Sequence, residues 1–249
     1  MIKVLVNGAN GRMGKTVCEA VEADSELELI ARVDVFGEGV EKDLQTAIDK
    51  FKPEVMVDFT RPDVVLQNVL TALKNRVAVV VGTTGLNSEA KSKIKSATEE
   101  FKTPAFIAPN FAIGAVLMMI FAKQAAKYLP DVEIIELHHD KKLDAPSGTA
   151  IQTAEMISEV RPKHKQGHPD EVEKLTGARG SELDGIRIHS VRLPGYVAHQ
   201  EVIFGGSGQI LTIRHDSMDR FSFMPGVILA CKKVLELDGL TVGLDKILE

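Results

Sequence analysis

Two adjacent histidines, a basic pair and a serine-glycine-threonine turn fall within about a dozen residues in the stretch Glu133 to Ala150, which reads EIIELHHDKKLDAPSGTA. His138 and His139 carry imidazoles, which titrate near neutral pH, and Lys141 and Lys142 carry fixed positive charge. Ser147-Gly148-Thr149 opens a helical pattern continued by Ala150, Ile151, Ala154 and Ile157. Ser147 suits a helix cap, and a helix N-terminus is a ready anion site. Gly148 has no side chain to hold an anion away from the backbone. Singly, each part has a plain explanation: a surface histidine pair, a solvated basic patch, a common helix start. Together, a proton donor, a cation and an anion cradle make a site for a small, carboxylate-bearing substrate. Neighbours in a strand face opposite sides, so one histidine faces the substrate while the other supports it or binds nearby.

These groups need elements to position them. The apolar run Ile134, Ile135 and Leu137 predicts a strand that delivers the histidines. Pro146 disfavours a helical Ala145, so the helix must begin after it. A chain of 249 residues can bury a good core and suggests one large or two modest domains. Its net charge of −5 argues against broad nucleic-acid binding, so an anionic ligand must meet a local basic cluster. Cys18 and Cys231 make no metal spacing and read as reduced core thiols of a cytoplasmic protein, so no metal is expected. No signal-peptide pattern precedes the first strand, and the apolar run 112–121 is too short for a membrane span. No nucleic-acid or membrane partner is therefore expected.

A second constellation lies at the start. Residues 2–7 read as a buried strand, followed by Gly8, Ala9, Asn10, Gly11, Arg12, Met13 and Gly14, a G-x-x-G-x-x-G loop, and then a helical pattern. A strand over 27–33 ends at Asp34, twenty residues after Gly14. This is a dinucleotide-binding arrangement: glycines for close approach, a helix N-terminus for the pyrophosphate, an acid for the ribose. The glycine spacing departs from the commoner G-x-G-x-x-G, so the flanking elements carry the reading. Arg12 could pair with a cofactor phosphate. Asp34 would repel a 2′-phosphate; Val35 follows it, and Arg32, on the same strand face, could soften that repulsion.

Strands over 54–60, 77–81 and 104–108 alternate with helices over 62–74 and 88–101, and a long helix covers 112–129. After the helix at 148–160 comes an exposed loop, 162–180, then strands at 187–191, 199–204 and 209–215 with no helix between, which predicts antiparallel pairing. A helix near 224–235 should return to the first domain. The fold class is α/β: a Rossmann-like parallel-sheet domain (1–109 plus 218–249), and a second α+β domain (110–217) carrying an open mixed sheet.

The run from Glu133 to Ala150 resembles the signature of the dihydrodipicolinate reductases, and the resemblance covers essentially the whole chain. It implies NAD(P)H-dependent reduction of 4-hydroxy-tetrahydrodipicolinate (dihydrodipicolinate) to tetrahydrodipicolinate in the diaminopimelate route to lysine. It further implies His138 as proton donor and Lys142 as the cation that stabilises charge as hydride arrives. His139 and the Gly148–Thr149 backbone would hold the substrate carboxylates. Gly82, Thr83 and Thr84, with Ala108, Pro109, Asn110 and Phe111, become nicotinamide-side contacts. The family is expected to form homotetramers through open sheets and to close its domains over the substrate. It often uses both cofactors, so with Asp34 NADH should be preferred or equal and NADPH accepted. Two other readings are a redox-sensing regulator and another reductase such as an aspartate dehydrogenase. The first would need a nucleic-acid surface, and the second would not need HHDKKLDAPSGTA.

Overall fold

The structure is a computed structural model that describes residues 1–248. The chain forms two compact units: Met1–Ile113 with the chain from Arg220 onward, and Gly114–Asp219. In chain order the first unit begins with β1 (Ile2–Asn7), α1 (Arg12–Ala23), β2 (Leu27–Val33), α2 (Leu44–Phe51), β3 (Val55–Asp58), α3 (Val65–Lys74), β4 (Ala78–Val81), α4 (Ser88–Phe101) and β5 (Ala105–Ile107). Helix α5 (Ile113–Ala126) leads into β6 (Asp131–His138), α6 (Gly148–Ser158), β7 (Ser181–Leu183), β8 (Ile186–Arg192), β9 (Ala198–Gly206) and β10 (Gln209–Ser217). The chain then rejoins the first unit with α7 (Met224–Lys233) and β11 (Leu240–Val242).

The first sheet is wholly parallel, in the order β11-β5-β4-β3-β1-β2. Its central strands are buried, which is why they read as unbroken apolar runs: Val4 to Val6, Val55 to Val57 and Val77 to Val81. From β1 the chain moves outward to β2 and then crosses back to β3, so the strand order reverses between β1 and β3. A crevice at the carboxyl ends of such a pair is where ligands bind in open parallel sheets.

The second sheet is mixed, in the order β10-β9-β6-β8-β7. Along β6, Val132, Ile134 and Glu136 are buried while Glu133, Ile135 and Leu137 are half-buried, so one face packs and the other is open. Helix α6 packs on β6 through an apolar stripe that includes Ala150, Ala154 and Ile157.

Several expectations need correction. The strands after the 162–180 loop are not all antiparallel: β8 runs parallel to β6, because β6 lies between β8 and β9 and keeps them from pairing. The strand expected over 54–60 stops at Asp58, and α3 starts at Val65 because residues 62–64 form a turn. Helix α2, capped by Asp43 accepting from Thr46 N–H at 2.8 Å, was not foreseen, nor were the three-residue strands β7 and β11. Among the described residues, no helix is long and apolar enough to cross a membrane.

Candidate active site

In the first unit the glycine loop packs so tightly that side chains are excluded. Gly8 has φ +82°, and a Cβ there would lie 2.6 Å from the Phe59 carbonyl oxygen; at Gly14 one would lie 2.0 Å from the Gly8 carbonyl oxygen. Gly11 is the N-cap of α1, and no side chain caps that end. Its first turn is therefore suited to a phosphate. Ala9 is buried, Met13 half-buried and Arg12 exposed.

Asp34 is buried, and its carboxylate accepts from Asn10 N–H at 2.9 Å and Phe36 N–H at 3.3 Å. The Asn10 side chain donates to the Phe36 carbonyl at 2.7 Å, tying the glycine loop to the turn after β2. A cleft of about 510 Å³ opens here, lined by Gly8, Gly11, Asp34, Phe36, Lys42 and Phe59 among others. Arg32 is engaged elsewhere: its guanidinium pairs with Glu22 of α1 at 2.5 Å. Two cations line the cleft, Lys42 and Arg61, neither singled out by the sequence pattern, and Arg61 is paired with Asp63 at 2.7 Å.

At the ends of β3 and β4, the fully buried Asp58 carboxylate gathers neighbouring loops. It accepts from Asn7 and Asn68 side-chain amides, each at 3.0 Å, from Thr60 Oγ1 at 2.7 Å and from Thr83 Oγ1 at 2.8 Å. Gly82 N–H donates to the Asp58 carbonyl at 2.9 Å, leaving Thr84 exposed. After β5, Ala108 is buried and Pro109 exposed, and Asn110 Oδ1 accepts from Ala112 N–H at 2.8 Å. The Phe111 ring is buried, packed 6.0 Å from Phe59 and 6.1 Å from Phe106.

In the second unit, β6 carries His138 to its end on the same face as Glu136, while His139 lies beyond the strand and is exposed. Glu136 is fully buried, and its Oε2 lies 2.5 Å from His138 Nδ1. Arg192, at the end of β8, donates to both carboxylate oxygens at 2.8 and 2.7 Å, a bidentate pair. The Ser147 backbone N–H donates to Oε1 at 3.1 Å. Burial alone would push this carboxyl up, but hydrogen bonds from His138, Arg192 and Ser190 hold it down at about 2.

Beyond the strand, Lys142 donates to both oxygens of Asp144 at 2.8 and 2.9 Å, and the Asp144 carbonyl accepts from Arg192 at 2.8 Å. Ser147 caps α6, its hydroxyl accepting from Ala150 N–H at 3.2 Å. A Cβ added at Gly148 would meet nothing within 4 Å, so the first turn of α6 faces open space at that residue. His138 and the start of α6 are thus brought together through one carboxylate. Sequence reasoning passed over Glu136 and Arg192. The signal for Glu136 was present, since period two from Ile134 and His138 puts it on the packed face of β6.

A family model described as dihydrodipicolinate reductase, N-terminus, matches residues 2–111, and one described as dihydrodipicolinate reductase, C-terminus, matches residues 114–248. The chain is 54% identical to a 4-hydroxy-tetrahydrodipicolinate reductase of Listeria innocua over 100% of both chains. It is 50% identical to one of Desulfitobacterium hafniense, over 100% of this chain and 99% of that one. Among solved structures, a dipicolinate-bound dihydrodipicolinate reductase from Paenisporosarcina sp. TG-14 superposes with a TM-score of 0.93 at 48% identity, covering 99% of each chain.

Proposed function

The chain belongs to the dihydrodipicolinate reductase family and is a 4-hydroxy-tetrahydrodipicolinate reductase of lysine biosynthesis, and from that premise we propose which residues carry the reaction. The regulator and aspartate dehydrogenase readings fall away with it. The family uses NAD(P)H, and the uncapped start of α1, the close-packed glycine loop and the Asp34 carboxylate fit such a dinucleotide. When bound, its reduced nicotinamide supplies the hydride. Gly8 to Gly14 hold the pyrophosphate, Asp34 the adenosine ribose, and the loops Gly82–Thr84 and Ala108–Phe111 the nicotinamide side. NADH is preferred or equal, and NADPH is accepted with Lys42 beside its 2′-phosphate.

The substrate is a small cyclic dicarboxylate. His139 and the Gly148–Thr149 turn hold its carboxylates, where the positive end of the α6 dipole favours negative charge. The C4 hydroxyl of the substrate leaves as water to give a conjugated imine. Lys142 stabilises the charge that develops as hydride adds to that ring, and His138 donates the proton that completes the reduction. The observation that carries this reading is the meeting of His138 with the Ser147–Gly148 turn on the two sides of one buried carboxylate. The protein is placed in the cytoplasm as a homotetramer joined through the open face of the second sheet.

Steady-state kinetics with substrate generated by a coupled synthase tests the assignment. Lys142→Ala should lower kcat by about 10²–10³-fold while NADH still binds, as loss of a charge-stabilising group does. His138→Gln should lower it by about 10²-fold, as loss of a general acid does. Near-normal turnover in both would overturn the assignment.

A further inference from the structure

The proton donor and the anion cradle share a single buried group. Glu136 uses Oε2 for His138 Nδ1 and one Arg192 nitrogen, and Oε1 for Ser147 N–H and the other Arg192 nitrogen. No part of its carboxylate is exposed, so it cannot touch substrate. An ionised carboxylate only accepts, so the Nδ1 facing it must carry a proton. That leaves Nε2 as the ring nitrogen that exchanges the catalytic proton. We infer that Glu136 is the positioning residue of this enzyme, committing His138 to proton transfer from Nε2 and locking it to the turn that binds the substrate carboxylate, with Arg192 balancing its charge. The inference rests on the proposed role of His138 and deepens it.

The surroundings leave Glu136 and Arg192 as the charges that bear directly on the imidazole. From β8 the charged group is Arg192, and Ser190 beside it is neutral. From β9, Gln200 is neutral and hydrogen-bonded to Thr153 of α6 at 2.8 Å, and His199 Nδ1 is taken by Asp216 at 2.6 Å. The turn after β6 carries His139, Asp140, Lys141, Lys142 and Asp144, of which Lys142 and Asp144 pair with one another and His139, Asp140 and Lys141 are exposed. The α6 start contributes the Ser147 backbone N–H to the carboxylate. The carboxylate favours the imidazolium and the guanidinium disfavours it, so removing each should move the same property in opposite directions.

The pH profile of kcat reads this out, using the alkaline limb that disappears in His138→Gln. A general acid is active when protonated, so activity falls as pH rises through that limb. Glu136→Gln removes the negative neighbour and should move the limb to lower pH by about one unit, with kcat reduced about tenfold or more. Arg192→Met removes the positive neighbour and should move the limb to higher pH. NADH binding, held by the other unit, should be unchanged in both. A residue that merely supports the fold would lower activity without opposed displacements, so limbs that stay in place, or move together, overturn the inference. If Glu136→Gln does not fold, the direction of the Arg192→Met displacement decides alone. Full turnover in His138→Gln would instead strike the proposed proton donor, so the two failures are distinguishable.

Discussion

At the scale of single residues, the proposed cofactor choice turns on Asp34. Its two oxygens already accept from Asn10 and Phe36 N–H groups, which orients the carboxylate and leaves it lone pairs for ribose hydroxyls. A 2′-phosphate brought to the same place would be repelled, with Lys42 as the compensating charge along the cleft. Asp34→Ala should raise kcat/KM for NADPH relative to NADH by a factor worth about 1–3 kcal/mol. A ratio unchanged in the mutant would show that Asp34 does not read the ribose. The acid was legible from its distance to the glycine loop and Lys42 was not, because it lies eight residues further on and only the fold of the intervening turn brings it to the cleft. Glu136 was hidden differently. The strand's period places it on the packed face, but a glutamate is seldom buried unpaired, and the arginine that allows this one to be buried is 56 residues away on β8.

At the scale of elements, the α6 terminus is the most open to test. Gly148 needs no unusual backbone angle, and a side chain there would meet no protein atom within 4 Å, so the fold itself does not require glycine. Gly148→Leu should leave the thermal midpoint unchanged or higher, since leucine suits a helix better than glycine. The same substitution should weaken binding of a small cyclic dicarboxylate, the proposed substrate class, by about tenfold or more, a loss of about 1.4 kcal/mol. Calorimetric titration showing wild-type affinity would remove α6 from the cradle. The buried strands and the helix start marked by Ser147 were readable because burial and capping write themselves into local sequence. The parallel course of β8 was not, since it depends on which strand β6 chooses as a neighbour. Strands β7 and β11, at three residues each, are too short to show any alternation.

At the scale of the molecule, the open face of the second sheet carries the proposed tetramer. Ile135, Leu137 and Ile203 on that sheet are half-buried in the single chain, and Ile210 at its edge strand is 77% exposed. Apolar surface of this kind marks an interaction site. Light scattering should give a mass four times that of the chain, and Ile210→Lys should shift it toward smaller species; a monomeric wild type would remove the proposal. The first unit has a further property. Its edge strand β11 pairs with β5 across an interval of more than a hundred residues, and α7 packs on α1 from the far end of the chain. As the polypeptide leaves the ribosome, the second unit, continuous from Gly114 to Asp219, has all its strands in hand while β5 still presents a bare edge. The second unit therefore holds every strand of its sheet before the first unit does. The first sheet is complete only once β11 is present, so a chain cut short before Leu240 could still shape the Ser147–Gly148 turn but would leave the edge of β5 unpaired.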